Sequence, residues 1–301
     1  MKNRVPRVGA TGEGKVMALL MRVVLGGLLC GAVIGAPVLA PADEVPYIQT
    51  PSNVVDAMLA IAEVGPKDYL VDLGSGDGRI VIAAAKQYGA RGLGIDYDQS
   101  LIAESRVNAA RAGVSDRVRF LQQDIFLADF HDATVVTMYL LPEVNLEIRP
   151  QILFGLRPGT RVVSHDWDMG DWESDRRMVV PAPEKIVGLR KESTIHLWVV
   201  PARVAGYWRG TLTGPGGVES VVVEFSQRFQ NASATVWLRR WNLTGIARLQ
   251  GDRLSLSLDR ASWMPDSAPL RFTLQVADGR LEGEALDGNT RYTLRATRLS
   301  D

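Results

Sequence analysis

Cysteine is almost absent: the chain has one in 301 residues, Cys30. That excludes an internal disulfide and any multi-cysteine zinc or iron–sulfur site. Histidine is nearly as scarce, with His131, His165 and His196 scattered along the chain, so no metal site is expected. Net charge is missing as well. The 34 Lys+Arg balance 34 Asp+Glu, which argues against a chain built as a whole to bind nucleic acid. The apolar stretch Val23–Ala36 is short and glycine-rich beside the about 20 residues that a spanning helix needs. What is present is ordinary for a folded chain: 46% hydrophobic and 23% charged residues. The length suits two domains of roughly 100–200 residues each.

Residues 1–42 read as a targeting segment. Lys2, Arg4, Arg7, Lys15 and Arg22 precede the apolar stretch VVLGGLLCGAVIGA, and Ala40-Pro41-Ala42 has the small–x–small form of a cleavage site. The expectation is an exported chain, periplasmic after cleavage, or anchored in the inner membrane if the segment is kept. Cys30 follows the bulky Leu29, which does not suit a lipoprotein signal, and reads as one more apolar residue of that stretch.

The remainder divides by composition. From 43 to 201, helix-period and strand-like stretches alternate. Helices are expected at 51–64, 79–88, 99–112 and 146–156, and strands at 69–73, 91–95, 118–122, 133–141 and 160–164. A closing hairpin is expected from 184–190 and 194–200. Such alternation builds an α/β sheet with helices on both faces. From 202 to 301, about eight short strands recur with turn signals such as Gly214-Pro215-Gly216-Gly217 and Asp287-Gly288-Asn289, the pattern of an all-β barrel or sandwich. The second stretch has thirteen Arg, no Lys and ten acids, a net +3. Residues 43–201 carry a net −7. Opposite signs would draw the halves together, or would serve only to keep each half soluble.

The chemistry concentrates in one turn, Asp72-Leu73-Gly74-Ser75-Gly76-Asp77-Gly78, between an expected strand and an expected helix. Gly74, Gly76 and Gly78 allow a tight turn and close approach of backbone to a ligand. A dinucleotide site spaces its glycines G-x-G-x-x-G around a pyrophosphate. Here the third glycine comes one residue early, and Asp72 would repel phosphate but pair with an amino group. Asp96 ends the next strand, where an acid can hold both ribose hydroxyls. Asp124 follows the third strand and is placed to accept from an adenine amine. These acids describe a ligand with an amino acid end, a ribose and an adenine, and no phosphate. The blander alternatives are a plain strand–helix turn, a helix N-cap at Asp96 and a surface loop acid at Asp124.

This set resembles class I S-adenosylmethionine-dependent methyltransferases over residues 46–200. Asp72–Gly78 matches their first motif, Asp96 their second and Asp124 their third. The resemblance implies a Rossmann-like seven-stranded methyltransferase sheet and S-adenosyl-L-methionine as cofactor, held by Asp72, Gly74, Ser75, Gly76, Gly78, Asp96 and Asp124. Pro46-Tyr47-Ile48-Gln49-Thr50-Pro51, with the helix and LVDLGSGDGRIVIAAA that follow, is similar to bacterial relatives of the ATP synthase c-subunit lysine methyltransferase group. By that resemblance Tyr47 and Thr50 contact the methionine end. The sequence departs from many amino-group methyltransferases at Tyr139-Leu140-Leu141-Pro142, where Asn/Asp-Pro-Pro-Tyr/Phe is usual.

Tyr139, Glu143, His165 and Asp166 are the candidates for the acceptor side, as substrate-gripping aromatic, base or proton relay. Each also has a structural reading: strand-end packing, a first-turn helix acid, a satisfied polar pair. The expected function is methyl transfer to a protein lysine or a small molecule, with no nucleic acid partner. The alternative is a non-catalytic exported binding protein with a degenerate nucleotide fold. In the second half, Gly206-Tyr207-Trp208 resembles the Gly-x-Trp opening of lipocalin-type barrels. A barrel can hold a hydrophobic ligand, but the favoured reading is that its four tryptophans, Trp208, Trp237, Trp241 and Trp263, fill a core.

Overall fold

The computed structural model describes residues 47–186, 190–240, 242–259 and 268–299. The expected signal at 1–42, Cys30, Trp241 and Trp263 lie outside these residues.

Five parallel strands carry the first half: β1 (Tyr69–Leu73), β2 (Arg91–Asp96), β3 (Val118–Gln122), β4 (Val135–Met138) and β5 (Arg161–His165). With β6 (Arg176–Pro181) and β7 (Glu192–Val199) they form one seven-stranded sheet, in the order β3-β2-β1-β4-β5-β7-β6. β7 is antiparallel to both neighbours. Leu70, Val71 and Leu73 of β1 and all of β4 are buried, as strands covered on both faces must be. Helices α1 (Ser52–Ile61), α2 (Arg79–Tyr88) and α3 (Gln99–Ala112) cover one face through residues such as Met58, Val81 and Ile102. α4 (Pro142–Gly155) covers the other through Ile148 and Ile152, with Trp172 and Trp198 beside it. The strand order reverses between β1 and β4. Connections leave in opposite directions there and open a crevice at the carboxyl ends, where α/β folds place their ligands.

The expected closing hairpin is half corrected. β7 lies where a strand is expected, but its partner is Arg176–Pro181 and not 184–190. β6 is the sheet edge and five of its six residues are exposed, so it lacks the in–out alternation that marks a half-buried strand. α4 begins at Pro142, earlier than its apolar period suggests, because proline is preorganised for a first helical position.

The second half is a closed antiparallel barrel of β8 (Gly206–Gly214), β9 (Gly217–Arg228), β10 (Asn231–Trp237), β11 (Asn242–Gln250), β12 (Arg253–Leu258), β13 (Leu270–Ala277), β14 (Arg280–Asp287) and β15 (Thr290–Arg298). β15 pairs with β8, which abolishes the sheet edges and settles barrel against sandwich. Alternating residues such as Leu254, Leu256 and Leu258 point inward with Trp208, Phe225 and Phe272 and fill the interior. Trp237 instead stacks on Tyr207, with ring centroids 6.3 Å apart.

The barrel joins the sheet at the end opposite the crevice. The amide of Ala202 donates to the Gly251 carbonyl (2.8 Å), and Gly251 packs on Gly159, ahead of β5. Phe229 stacks on buried Trp172 at 5.8 Å, and Gln230 donates to the Glu173 carbonyl (2.8 Å). Arg228–Asp171 (2.7 Å) and Arg248–Asp175 (2.9 Å) pair the positive barrel with the negative sheet half.

Candidate active site

The turn after β1 adopts a conformation its glycines alone make inexpensive. Gly74, Gly76 and Gly78 have φ of +73°, +53° and +80°. Gly76 is the tightest: a Cβ there would overlap the ring of Tyr47, which lies across the turn. The amides of Gly74 and Ser75 donate to the Ile95 carbonyl, both at 2.9 Å, tying the turn to the end of β2. The Gly76 amide donates to Asp96 Oδ2 (2.7 Å), and the Asp98 amide to Asp96 Oδ1 (3.0 Å).

Asp96 is therefore not the helix cap. Asp98 caps α3, accepting from the amides of Ser100 and Leu101. Asp96 is free of that duty and keeps acceptor capacity at the mouth of the crevice, since a carboxylate has about four lone-pair positions. Asp124 is half-buried and accepts from the Phe126 amide (2.9 Å), which fixes the loop after β3.

Asp72 lies beneath the turn. It is 2% exposed and accepts from the Thr137 hydroxyl at 2.6 Å. Burial pushes its carboxyl up to about 8. The neighbouring Asp96 and Asp77 carboxylates add to the rise, and the Thr137 bond opposes it. Ser75 Oγ, within the turn, is buried with no hydrogen-bond partner in the protein. A cramped glycine cradle, an orphaned hydroxyl and a carboxyl short of positive charge fit a cationic nucleoside.

The segment 47–51 closes this side. The Tyr47 hydroxyl accepts from the Asp77 amide (3.2 Å). Arg79 holds Asp77 through Nη2 (2.6 Å) and donates to the Thr50 carbonyl through Nη1 (2.8 Å), so one guanidinium ties the arm to the turn. Motif spacing singles out neither Asp77 nor Arg79. Their signal is an acid and a base two residues apart at a helix start.

Opposite the turn, Tyr139 stacks on His165 at 3.9 Å. His165 is fully buried. Its Nδ1 is 3.2 Å from the Thr50 hydroxyl and its Nε2 is 2.7 Å from the Ser193 hydroxyl. Burial pushes it down to about 4. The Tyr139 phenol is pushed up to about 12, by burial first and then by the Asp166 carboxylate, to which its hydroxyl donates at 3.4 Å. Asp166 itself has φ of +64°, held by the Thr194 amide on Oδ1 (3.1 Å) and by its own amide on the Thr194 carbonyl (2.7 Å). Glu143 sits exposed in the first turn of α4.

A doubly covered sheet of this order, with β7 antiparallel, a glycine turn after β1 and an acid ending β2, defines a class I S-adenosylmethionine-dependent methyltransferase. Comparison with known proteins narrows the class. Residues 72–176 match the family model described as ANTKMT methyltransferase domain. The chain is 37% identical to the protein-lysine N-methyltransferase of Saccharolobus islandicus over 161 residues, which are 52% of this chain and 94% of that protein. It is 31% identical over 164 residues to the adenine nucleotide translocase lysine N-methyltransferase of Mus musculus, which are 54% of this chain and 66% of that protein. It is also similar to a solved RNA methyltransferase from Salinibacter ruber in complex with S-adenosyl-L-homocysteine, at 49% identity, TM-score 0.48, 52% of this chain and 96% of that one. The chain belongs to this family of S-adenosylmethionine-dependent methyltransferases.

Proposed function

We propose that the crevice holds S-adenosylmethionine through Tyr47, Thr50, Asp72, Gly74, Ser75, Gly76, Gly78, Asp96 and Asp124, and that the methyl group passes to a protein lysine. The observation that carries this is the Gly76 amide on Asp96 Oδ2, with Asp72 buried beneath the same turn. It sets one carboxylate for ribose hydroxyls and one for an ammonium, a pairing that disfavours phosphate between them. That the Saccharolobus islandicus and Mus musculus relatives are lysine N-methyltransferases supports lysine as acceptor.

When bound, the cofactor supplies a methyl group already activated by positive sulfur. The protein's part is alignment and exclusion of water. A lysine acceptor enters as an ammonium and must lose a proton before it attacks. Tyr139, its phenol held protonated, serves as a donor and an aromatic wall and not as a base. His165, neutral and with both ring nitrogens occupied, positions Tyr139. Asp166 is the carboxylate in reach of that wall and is assigned the proton. Glu143 remains a candidate only for contact with an acceptor at the rim.

Full-length protein incubated with methyl-labelled S-adenosylmethionine and fractionated cell extract tests this. The expected label is methyllysine, absent with Asp96→Ala. Label confined to RNA or small molecules overturns the lysine assignment. The export reading of residues 1–42 remains part of the proposal, as does an accessory role for the barrel. Mass spectrometry of the mature N-terminus tests the first.

A further inference from the structure

Lysine is rare in this chain, with six among its 34 basic residues, and four of the six, Lys67, Lys86, Lys185 and Lys191, are among the described residues. Lys67, Lys86 and Lys191 are exposed. Lys185 is not: its side chain keeps 12% of its accessible surface, an uncommon state for a lysine.

Its position is specific. Lys185 Nζ lies 2.7 Å from Asp166 Oδ2, the same oxygen that receives the Tyr139 hydroxyl at 3.4 Å. It also donates to the Glu192 carbonyl at 2.8 Å. An ammonium thus rests on the carboxylate assigned to the acceptor's proton, beside the aromatic wall. A groove of about 440 Å³ lined by Asp166, Arg177, Val179, Lys185, Glu192 and Thr194 opens next to it and gives the chain room to shift.

We propose that Lys185 is itself a methyl acceptor, seated on Asp166 beside Tyr139 where an incoming lysine would sit. This rests on the lysine methyltransferase reading above. In the step, the Lys185 ammonium first gives a proton to the Asp166 carboxylate, which releases it to water. The nitrogen lone pair then forms a bond to the methyl carbon as the carbon–sulfur bond breaks, its electron pair staying on sulfur. Ammonium and sulfonium become methylammonium, neutral S-adenosylhomocysteine and one proton, so charge and atoms balance.

The test incubates purified full-length protein with S-adenosylmethionine bearing a deuterated methyl group and maps peptides by mass spectrometry. Label is expected on Lys185, at a rate constant independent of protein concentration. It is lost in Lys185→Arg, which retains a cation for Asp166, and kept in Lys191→Arg. A readout without cofactor accompanies it: acetic anhydride should modify Lys185 about tenfold more slowly than Lys67 and Lys86, and Asp166→Asn should remove that protection. Saturable cofactor binding with Lys185 unlabelled overturns this inference alone, as does a labelling rate that scales with protein concentration or equal reactivity of the lysines. Failure to bind the cofactor overturns the proposed function as well.

Discussion

The ring of Tyr139 lies on the ring of His165, centroids 3.9 Å apart and planes 29° apart. The imidazole is closed off on both nitrogens by Thr50 and Ser193, so a residue three strands from β2 locks the arm before α1 to the Tyr139 ring. His165→Phe keeps the stacking area and removes both polar contacts. It should cost about 1–3 kcal/mol of stability and lower kcat, while the acid limb of the pH–rate profile stays in place. A shift of that limb would make His165 the base and contradict the positioning role.

The turn should tolerate no side chain at Gly76. Alanine there must hold φ near +53° and displace Tyr47. The expected cost is about 1–2 kcal/mol in folding, with a loss of cofactor affinity of at least roughly tenfold. Thermal melts and calorimetry on Gly76→Ala check both numbers, and unchanged affinity would show that the ligand does not approach this backbone.

Asp72 gives the site a pH signature. Its carboxyl is raised to about 8, far above the unfolded value of about 3.9. The fold therefore retains a proton that the unfolded chain releases, so this group's contribution is intact below about pH 4 and is lost as pH rises toward 8. A bound ammonium reverses the preference, so binding at pH 7 should release a proton, seen by calorimetry in buffers of different ionisation enthalpy. Asp72→Asn should abolish the release and stabilise the free protein at pH 8 by about 1–3 kcal/mol. Binding without proton release would place the amino end elsewhere.

Attachment of the barrel should depend on packing more than on charge. Arg228 is largely exposed and its pair with Asp171 is worth about 0–1 kcal/mol, whereas Phe229→Ala empties the face of Trp172 and should cost about 2–4 kcal/mol. Limited proteolysis at the junction near residue 202 should accelerate in Phe229→Ala and change little in Arg228→Glu. The reverse ranking would make the charge difference between the halves the principal tie.

Much of this is legible in the sequence. Strands such as Tyr69–Leu73 and helices such as Gln99–Ala112 fall where period and turn residues put them, because both faces or one face of each is buried and the pattern records it. The edge strand Arg176–Pro181 is not legible, since an exposed edge imposes no alternation. The glycine turn and Asp96 are readable as motif. Asp98 as the true cap, Arg79 as the tie to Thr50, and Lys185 on Asp166 are not, because each pairing spans a distance along the chain, or a choice between two nearby acids, that only the folded geometry decides.

The most direct measurement is titration calorimetry of S-adenosylmethionine into the wild-type protein and into Asp96→Ala. The account predicts saturable one-site binding to the first, weakened at least about tenfold in the second as the hydroxyl contacts and the Gly76 anchor are lost. No binding to the wild type, or equal binding to both, would contradict it.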